Sequence, residues 1–203
     1  MKVPGTSTSF VGLSHSLQRS DSRFYRISST PSGPPFMVER KPVRFLELLR
    51  YLVEAEVDFI IVGGVAAVLE GAPVSTFDLD IVYSQADDNV ERLDRVLGDL
   101  NAVYVDPAGR CIRPDAERLK LGGHHLFRTA LGRLDALASI GDGLTFEELT
   151  ADSADRLIHG MTVAVLTLPA LISSKEAANR PKDRAVLDLL RETLAQREEA
   201  DDE

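Results

Sequence analysis

Two aspartates separated by one apolar residue, Asp78-Leu79-Asp80, open the run DLDIVYS, and a glycine pair, Gly63-Gly64, precedes them. Alternate residues of an extended chain project to the same face. The spacing therefore sends both carboxylates one way and Leu79 and Ile81 the other. Aspartate is depleted in strands, and two like charges on one face repel unless something positive lies between them. A divalent cation resolves that repulsion, because Mg²⁺ takes hard oxygen ligands: one or two carboxylates, with substrate phosphates and waters completing the set. The glycine pair ends an apolar run and opens a helix-like segment, where backbone N–H groups can receive an anion such as phosphate. Two carboxylates facing such a turn make half of a metal-dependent phosphoryl- or nucleotidyl-transfer site. The plainer reading is a solvated strand face, or a cap on the turn after Ser75-Thr76.

The elements that must position these groups follow from hydrophobic period. Phe45, Leu48, Leu49, Leu52 and Val53 recur at helical spacing, which predicts an amphipathic helix over 44–56. DFIIV (58–62) reads as a short buried strand broken by Gly63-Gly64, and VAAVLEG as a brief helix ending at Gly71, a C-cap glycine. DLDIVYS is a second strand, followed by an amphipathic helix over 87–100 with Val90, Leu93, Val96, Leu97 and Leu100 on its apolar side. AVYVD reads as a strand, and HHLFRTALGRLDALASI as a hairpin turning near Leu131-Gly132. DRLIHGMTVAVLT reads as a second hairpin, turning at His159-Gly160. Two helices complete the chain, the later one starting near Pro181, where proline suits a first turn. Strands with intervening helices and a helical end predict an α/β or α+β domain, a small mixed sheet flanked by helices.

The pattern Val62-Gly63-Gly64, thirteen residues, then Asp78-Leu79-Asp80-Ile81 resembles the DNA polymerase beta-like nucleotidyltransferase superfamily, with the gap at the long end of that family's range. Thr76, two residues before Asp78, matches many bacterial members. The arginine that often precedes that threonine is not present, since Val74 and Ser75 stand there. The resemblance covers roughly 59–190 and implies the nucleotidyltransferase fold with a third carboxylate from a later strand. Asp135 in GRLDALASI is the candidate; Asp115 and Asp142 compete but look like cap or turn residues. The plain alternative for Asp135 is a solvated strand residue paired with Arg133 or Arg128. The family's chemistry implies Mg²⁺ (or Mn²⁺) on Asp78, Asp80 and Asp135, with Gly63, Gly64 and Thr76 on the nucleotide and Asp135 assisting removal of the acceptor's proton.

The C-terminal helices resemble bacterial nucleotidyltransferases of the AbiE/MenT toxin type, which carry a lysine, then an arginine and a Lys/Arg-Asp pair. Here these are Lys175, Arg180, Lys182 and Asp183. The resemblance implies Lys175 on nucleotide phosphates, with Asp183 orienting it and Arg180 adding a bidentate contact. It also implies NMP transfer from an NTP to an RNA or tRNA acceptor in a toxin–antitoxin or defence setting, with an antitoxin protein as partner. Two readings compete with it: transfer to a small molecule, as in aminoglycoside nucleotidyltransferases, and an inactive nucleotide- or partner-binding member.

Composition bounds the rest. The 203 residues suffice for one domain with a core, and 44% are hydrophobic. No apolar run approaches a membrane span. The single cysteine, Cys111, excludes an internal disulfide, no Cys/His cluster suggests zinc, and a reducing cytoplasm is the expected setting. Residues 1–36, rich in Ser, Thr and Pro, read as a disordered extension that faintly resembles a transit peptide; Met37 looks like a natural start. Residues 37–190 are the expected catalytic domain, helical from about 168, and 191–203 its acidic helix end and tail. The net charge of −9 is unevenly placed: that tail has two basic and six acidic residues, a net of −4. An acidic chain is not a general polyanion binder, so any nucleic-acid contact is local. Cys111 reads as structural, Glu70 as a helix-surface carboxylate, and His124-His125 as packing or turn residues, with His125 able to face Asp135 across the hairpin.

Overall fold

The computed structural model describes residues 43–201, so the expected disordered stretch 1–36 lies outside the described residues. In chain order the elements are α1 (Phe45–Glu54), β1 (Phe59–Val62), α2 (Gly63–Leu69), β2 (Asp78–Tyr83), α3 (Asp87–Asp99), β3 (Val103–Tyr104), α4 (Ala116–Lys120), β4 (His124–Thr129), β5 (Gly132–Leu137), β6 (Ser139–Ile140), β7 (Leu144–Thr145), α5 (Phe146–Leu149), β8 (Ser153–Ile158), β9 (Met161–Leu166), α6 (Leu168–Ala178) and α7 (Pro181–Asp201).

Seven strands form one mixed sheet in the order β3-β4-β5-β2-β1-β9-β8. The β2–β5 and β1–β9 pairs are parallel and the others antiparallel. The mixed α/β architecture expected from the alternating pattern is the one the chain adopts. β1 sits near the centre with all four residues buried, which is why FIIV reads as an unbroken apolar run. β2 alternates instead: Leu79, Ile81 and Tyr83 are fully buried on one face. On that face the Tyr83 hydroxyl donates to the Leu119 carbonyl of α4 at 2.8 Å, and burial pushes the phenol up to about 12. The turn of the β8–β9 hairpin holds His159 and Gly160 at φ 47° and 83°, the pair of positive values that matches the twist of a two-residue hairpin.

The structure also differs from the sequence reading in places. α2 begins at the glycine pair itself rather than at Val65. α4, α5 and the β6–β7 ribbon have two to five residues each, too short for a period to show. α5 does carry a readable mark, the reciprocal Thr145/Glu148 capping box. Cys111, read as structural, is exposed.

Glu70 is not a helix-surface carboxylate. It is buried, and its two oxygens meet different arginines: Arg156 of β8 at 2.7 and 3.0 Å, and Arg197 of α7 at 2.6 Å. A buried charge is retained when it is paired and hydrogen-bonded. Here the pairing ties the end of α2 to the sheet edge and the C-terminal helix.

His125 faces away from Asp135. In the β4–β5 ladder Leu126 pairs with Asp135 and His125 with Ala136, so one residue of register puts His125 on the opposite face. There it stacks on Phe127 and shares a 2.9 Å hydrogen bond with the Tyr104 hydroxyl. Burial pushes its imidazole below the ordinary 6.5, with a Gly122 backbone contact opposing in part and neighbouring His124 adding to the drop. A histidine with a lowered folded pKa holds fewer protons folded than unfolded, so stability falls as pH drops below about 6.5. The midpoint of thermal unfolding should therefore fall between about pH 7.5 and about pH 5.5, and His125→Phe should flatten that slope. An equal slope in the variant would assign the acid sensitivity elsewhere.

Candidate active site

The three aspartates meet through sheet register. β2 runs parallel to β5, and their ladder pairs Asp78 with Arg133 and Asp80 with Asp135. Residues side by side in a ladder share a face, as do residues two apart on one strand. Asp78, Asp80, Arg133 and Asp135 therefore project together, while Leu79, Ile81 and Leu134 are fully buried behind them. Asp78 and Asp80 are half-buried and Asp135 is buried.

The glycine pair has a steric reason to be glycine. Gly63 sits at φ 64°, and a Cβ there would overlap the Asp80 carboxylate. A Cβ on Gly64 would come within 2.6 Å of Thr76 Oγ1. The turn is thus a cradle into which β2 and the residue leading to it are pressed, because only glycine allows so close an approach. Thr76 in turn donates from its hydroxyl to the Asp78 backbone carbonyl at 3.1 Å and to its Oδ1 at 3.0 Å, which fixes the orientation of the Asp78 carboxylate.

A second group arrives from the C-terminal helices. α6 ends at Asn179, which adopts the left-handed conformation at φ 44° and turns the chain sharply into Pro181. That turn brings the last turn of α6 against the first of α7. Asp183 is buried at 2% exposure and takes Lys175 Nζ at 3.3 Å and Arg180 Nε at 2.6 Å. Burial alone would raise the Asp183 carboxyl; the Arg180 hydrogen bond and the Lys175 charge outweigh it and hold the group below its ordinary value. Lys175 is thereby aimed rather than left to wander on its flexible stem.

Both groups line one cleft of about 670 Å³, in which Gly63, Gly64 and Thr76 also lie. Asp115, the first competitor for the third carboxylate, caps α4 by accepting from the Arg118 backbone N–H at 2.8 Å, and Asp142 sits in the β6–β7 turn. Arg133, weighed from the sequence only as a partner for Asp135, and His124, set aside there, also line the cleft. The spacing of Arg133 two residues before Asp135 marks its face. For the adjacent histidines the register alone decides which one looks inward.

The donor chemistry suits a hard divalent cation: carboxylate oxygens on adjacent strands, one pair in direct register. Among the described residues, no three His, Cys, Asp or Glu side chains are drawn into a ready-made metal cage. No described helix is long and apolar enough to cross a membrane.

No family model matches the chain, and no curated protein matches it in sequence. Among solved structures it is similar to a Thermotoga maritima protein, TM1012, provisionally described as a nucleotidyltransferase, at 16% identity and a TM-score of 0.45, over 76% of this chain and 96% of that one. It is also similar to the antibiotic-resistance factor ANT(2'')-Ia, at 17% identity and a TM-score of 0.48, over 74% and 82% of the two chains. A third similarity is to the lincosamide antibiotic adenylyltransferase LnuA, solved with lincomycin bound, at 13% identity and a TM-score of 0.48, over 72% and 94%.

Proposed function

We propose that the cleft transfers a nucleoside monophosphate from an NTP to an acceptor hydroxyl, with RNA or tRNA as acceptor in a toxin–antitoxin or defence setting. One observation carries the reading. Asp80 stands between Asp78 on its own strand and Asp135, its register partner on β5, over a glycine that leaves space for its carboxylate. Asp78, Asp80 and Asp135 would hold Mg²⁺ or Mn²⁺, which when bound polarises phosphoryl oxygens and lowers the pKa of a coordinated hydroxyl.

The chain's own groups do the rest. Thr76 orients Asp78. Lys175, steadied by Asp183, offers a point charge to the triphosphate, and Arg180 offers planar donors beside it. Asp135 accepts the acceptor's proton as its oxygen attacks the α-phosphorus; the new P–O bond forms while the bond to the β-phosphate oxygen breaks and pyrophosphate departs. An antitoxin protein would be the partner that restrains this activity.

A small cationic acceptor is the second reading, favoured by the net charge of −9. Incubation of the full chain with Mg²⁺, α-labelled NTPs and either total RNA or aminoglycosides tests both. Label on RNA supports the first reading and label on the drug supports the second. NTP binding without transfer to either, with Asp78→Ala and Asp80→Ala binding like wild type, would leave an inactive binding protein. Lys175→Ala should raise the KM for the NTP by about tenfold, as expected for loss of one charged phosphate contact. An unchanged KM would remove Lys175 from the nucleotide site.

A further inference from the structure

Three carboxylates on one sheet face repel one another, and a positive charge among them relieves the repulsion. The cleft offers three cationic side chains from the described residues: Arg133, Lys175 and Arg180. Lys175 and Arg180 are both engaged with Asp183. Arg133 stands on the β2–β5 face. It is the ladder partner of Asp78 and lies two residues from Asp135, with Nη2 at 3.6 Å from Asp135 Oδ1. At that separation the contact is ionic rather than a hydrogen bond. The Arg133 side chain is 46% exposed, so water competes for it and it can leave the contact at little cost.

Resting on the metal site proposed above, we propose that Arg133 is a counter-ion of the carboxylate face in the metal-free protein and competes with the divalent cation for it. The guanidinium spreads its single charge over a planar, weakly hydrated group. The half-exposed position keeps this counter-ion weak. It screens the repulsion between the carboxylates, and a cation with higher charge density displaces it toward solvent. Arg133 is thus a positioning residue that sets how much metal the site needs, without itself touching the reacting atoms.

Calorimetric titration of Mn²⁺ into the full-length chain tests this, with no nucleotide and no turnover. Arg133→Gln should bind Mn²⁺ about two- to fivefold more tightly than wild type, the range expected for release of one exposed ion pair. Arg133→Lys, which keeps the charge, should resemble wild type. In thermal unfolding, Arg133→Gln should melt below wild type without metal, and the gap should close at saturating Mn²⁺. Arg133→Ala serves as a second neutral variant should the glutamine side chain pack poorly. Mn²⁺ binding by Arg133→Gln and Arg133→Ala no tighter than wild type, with Asp135→Asn abolishing it, would overturn the competition while leaving the metal site standing. Failure of the wild-type chain to bind Mn²⁺ at all would overturn both.

Discussion

Asp80→Asn is expected to lower nucleotidyl transfer by about a thousandfold or more while leaving the folded structure in place. Asparagine is nearly isosteric with aspartate, so the cradle at Gly63 and the burial of Leu79 and Ile81 behind it should be undisturbed. The change is electrostatic: one carboxylate oxygen becomes an amide donor, and the negative charge that attracts a divalent cation is gone. Turnover at saturating NTP and Mg²⁺ measures the effect, with thermal unfolding as the control on folding. The loss should fall on kcat and kcat/KM together, as for an interaction needed in the transition state. Activity within about tenfold of wild type, with an intact fold, would remove Asp80 from the reaction.

Gly63→Ala should damage the fold and the site at once. Its φ of 64° lies in the left-handed region, where a residue with a Cβ is strained by about 1–2 kcal/mol. The new methyl group would also overlap the Asp80 side chain, coming within 2.7 Å of Cγ and 2.9 Å of Cβ. Overpacking of this kind typically costs about 1–3 kcal/mol, so the combined loss is about 2–5 kcal/mol. That corresponds to a fall in the unfolding midpoint of roughly 5–15 °C for a domain of this size. Because the group pushed aside is Asp80, activity should fall even where the variant remains folded. Gly98→Ala in α3 is the matched control. That glycine is exposed within a helix, and a Cβ there meets nothing within 4 Å, so the substitution should be neutral or stabilising by up to about 1 kcal/mol. Equal melting of the two variants would show that the Gly63 turn carries no strain.

The same pair of glycines shows how far sequence reasoning reaches. The residues before a strand and the strand itself announced a place where backbone and carboxylates come together. The reading of Gly63 and Gly64 as open backbone for an anion misses their nearer role, room for Asp80 and Thr76, because nothing in a linear pattern says that β2 folds back onto the turn. The Lys175–Asp183 pair came from the resemblance of the C-terminal helices to nucleotidyltransferases of the AbiE/MenT type. The left-handed turn at Asn179 that closes it was not legible.

Local chemistry along the chain by itself determined the strands of the seven-stranded sheet and the principal helices, the two hairpins, and the face of β2 that carries Asp78 and Asp80. These follow from side-chain period and turn residues, which act over a few positions. Tertiary structure alone decided the rest: that Asp135 stands beside Asp80, that His124 and not His125 looks into the cleft, that Arg133 lies among the carboxylates, and that Glu70 is a buried clamp for two distant arginines. Each depends on register or on packing between segments far apart in the chain. A shift of one residue in a ladder inverts every side chain on a strand, and that register is set by the whole core rather than by any stretch of sequence.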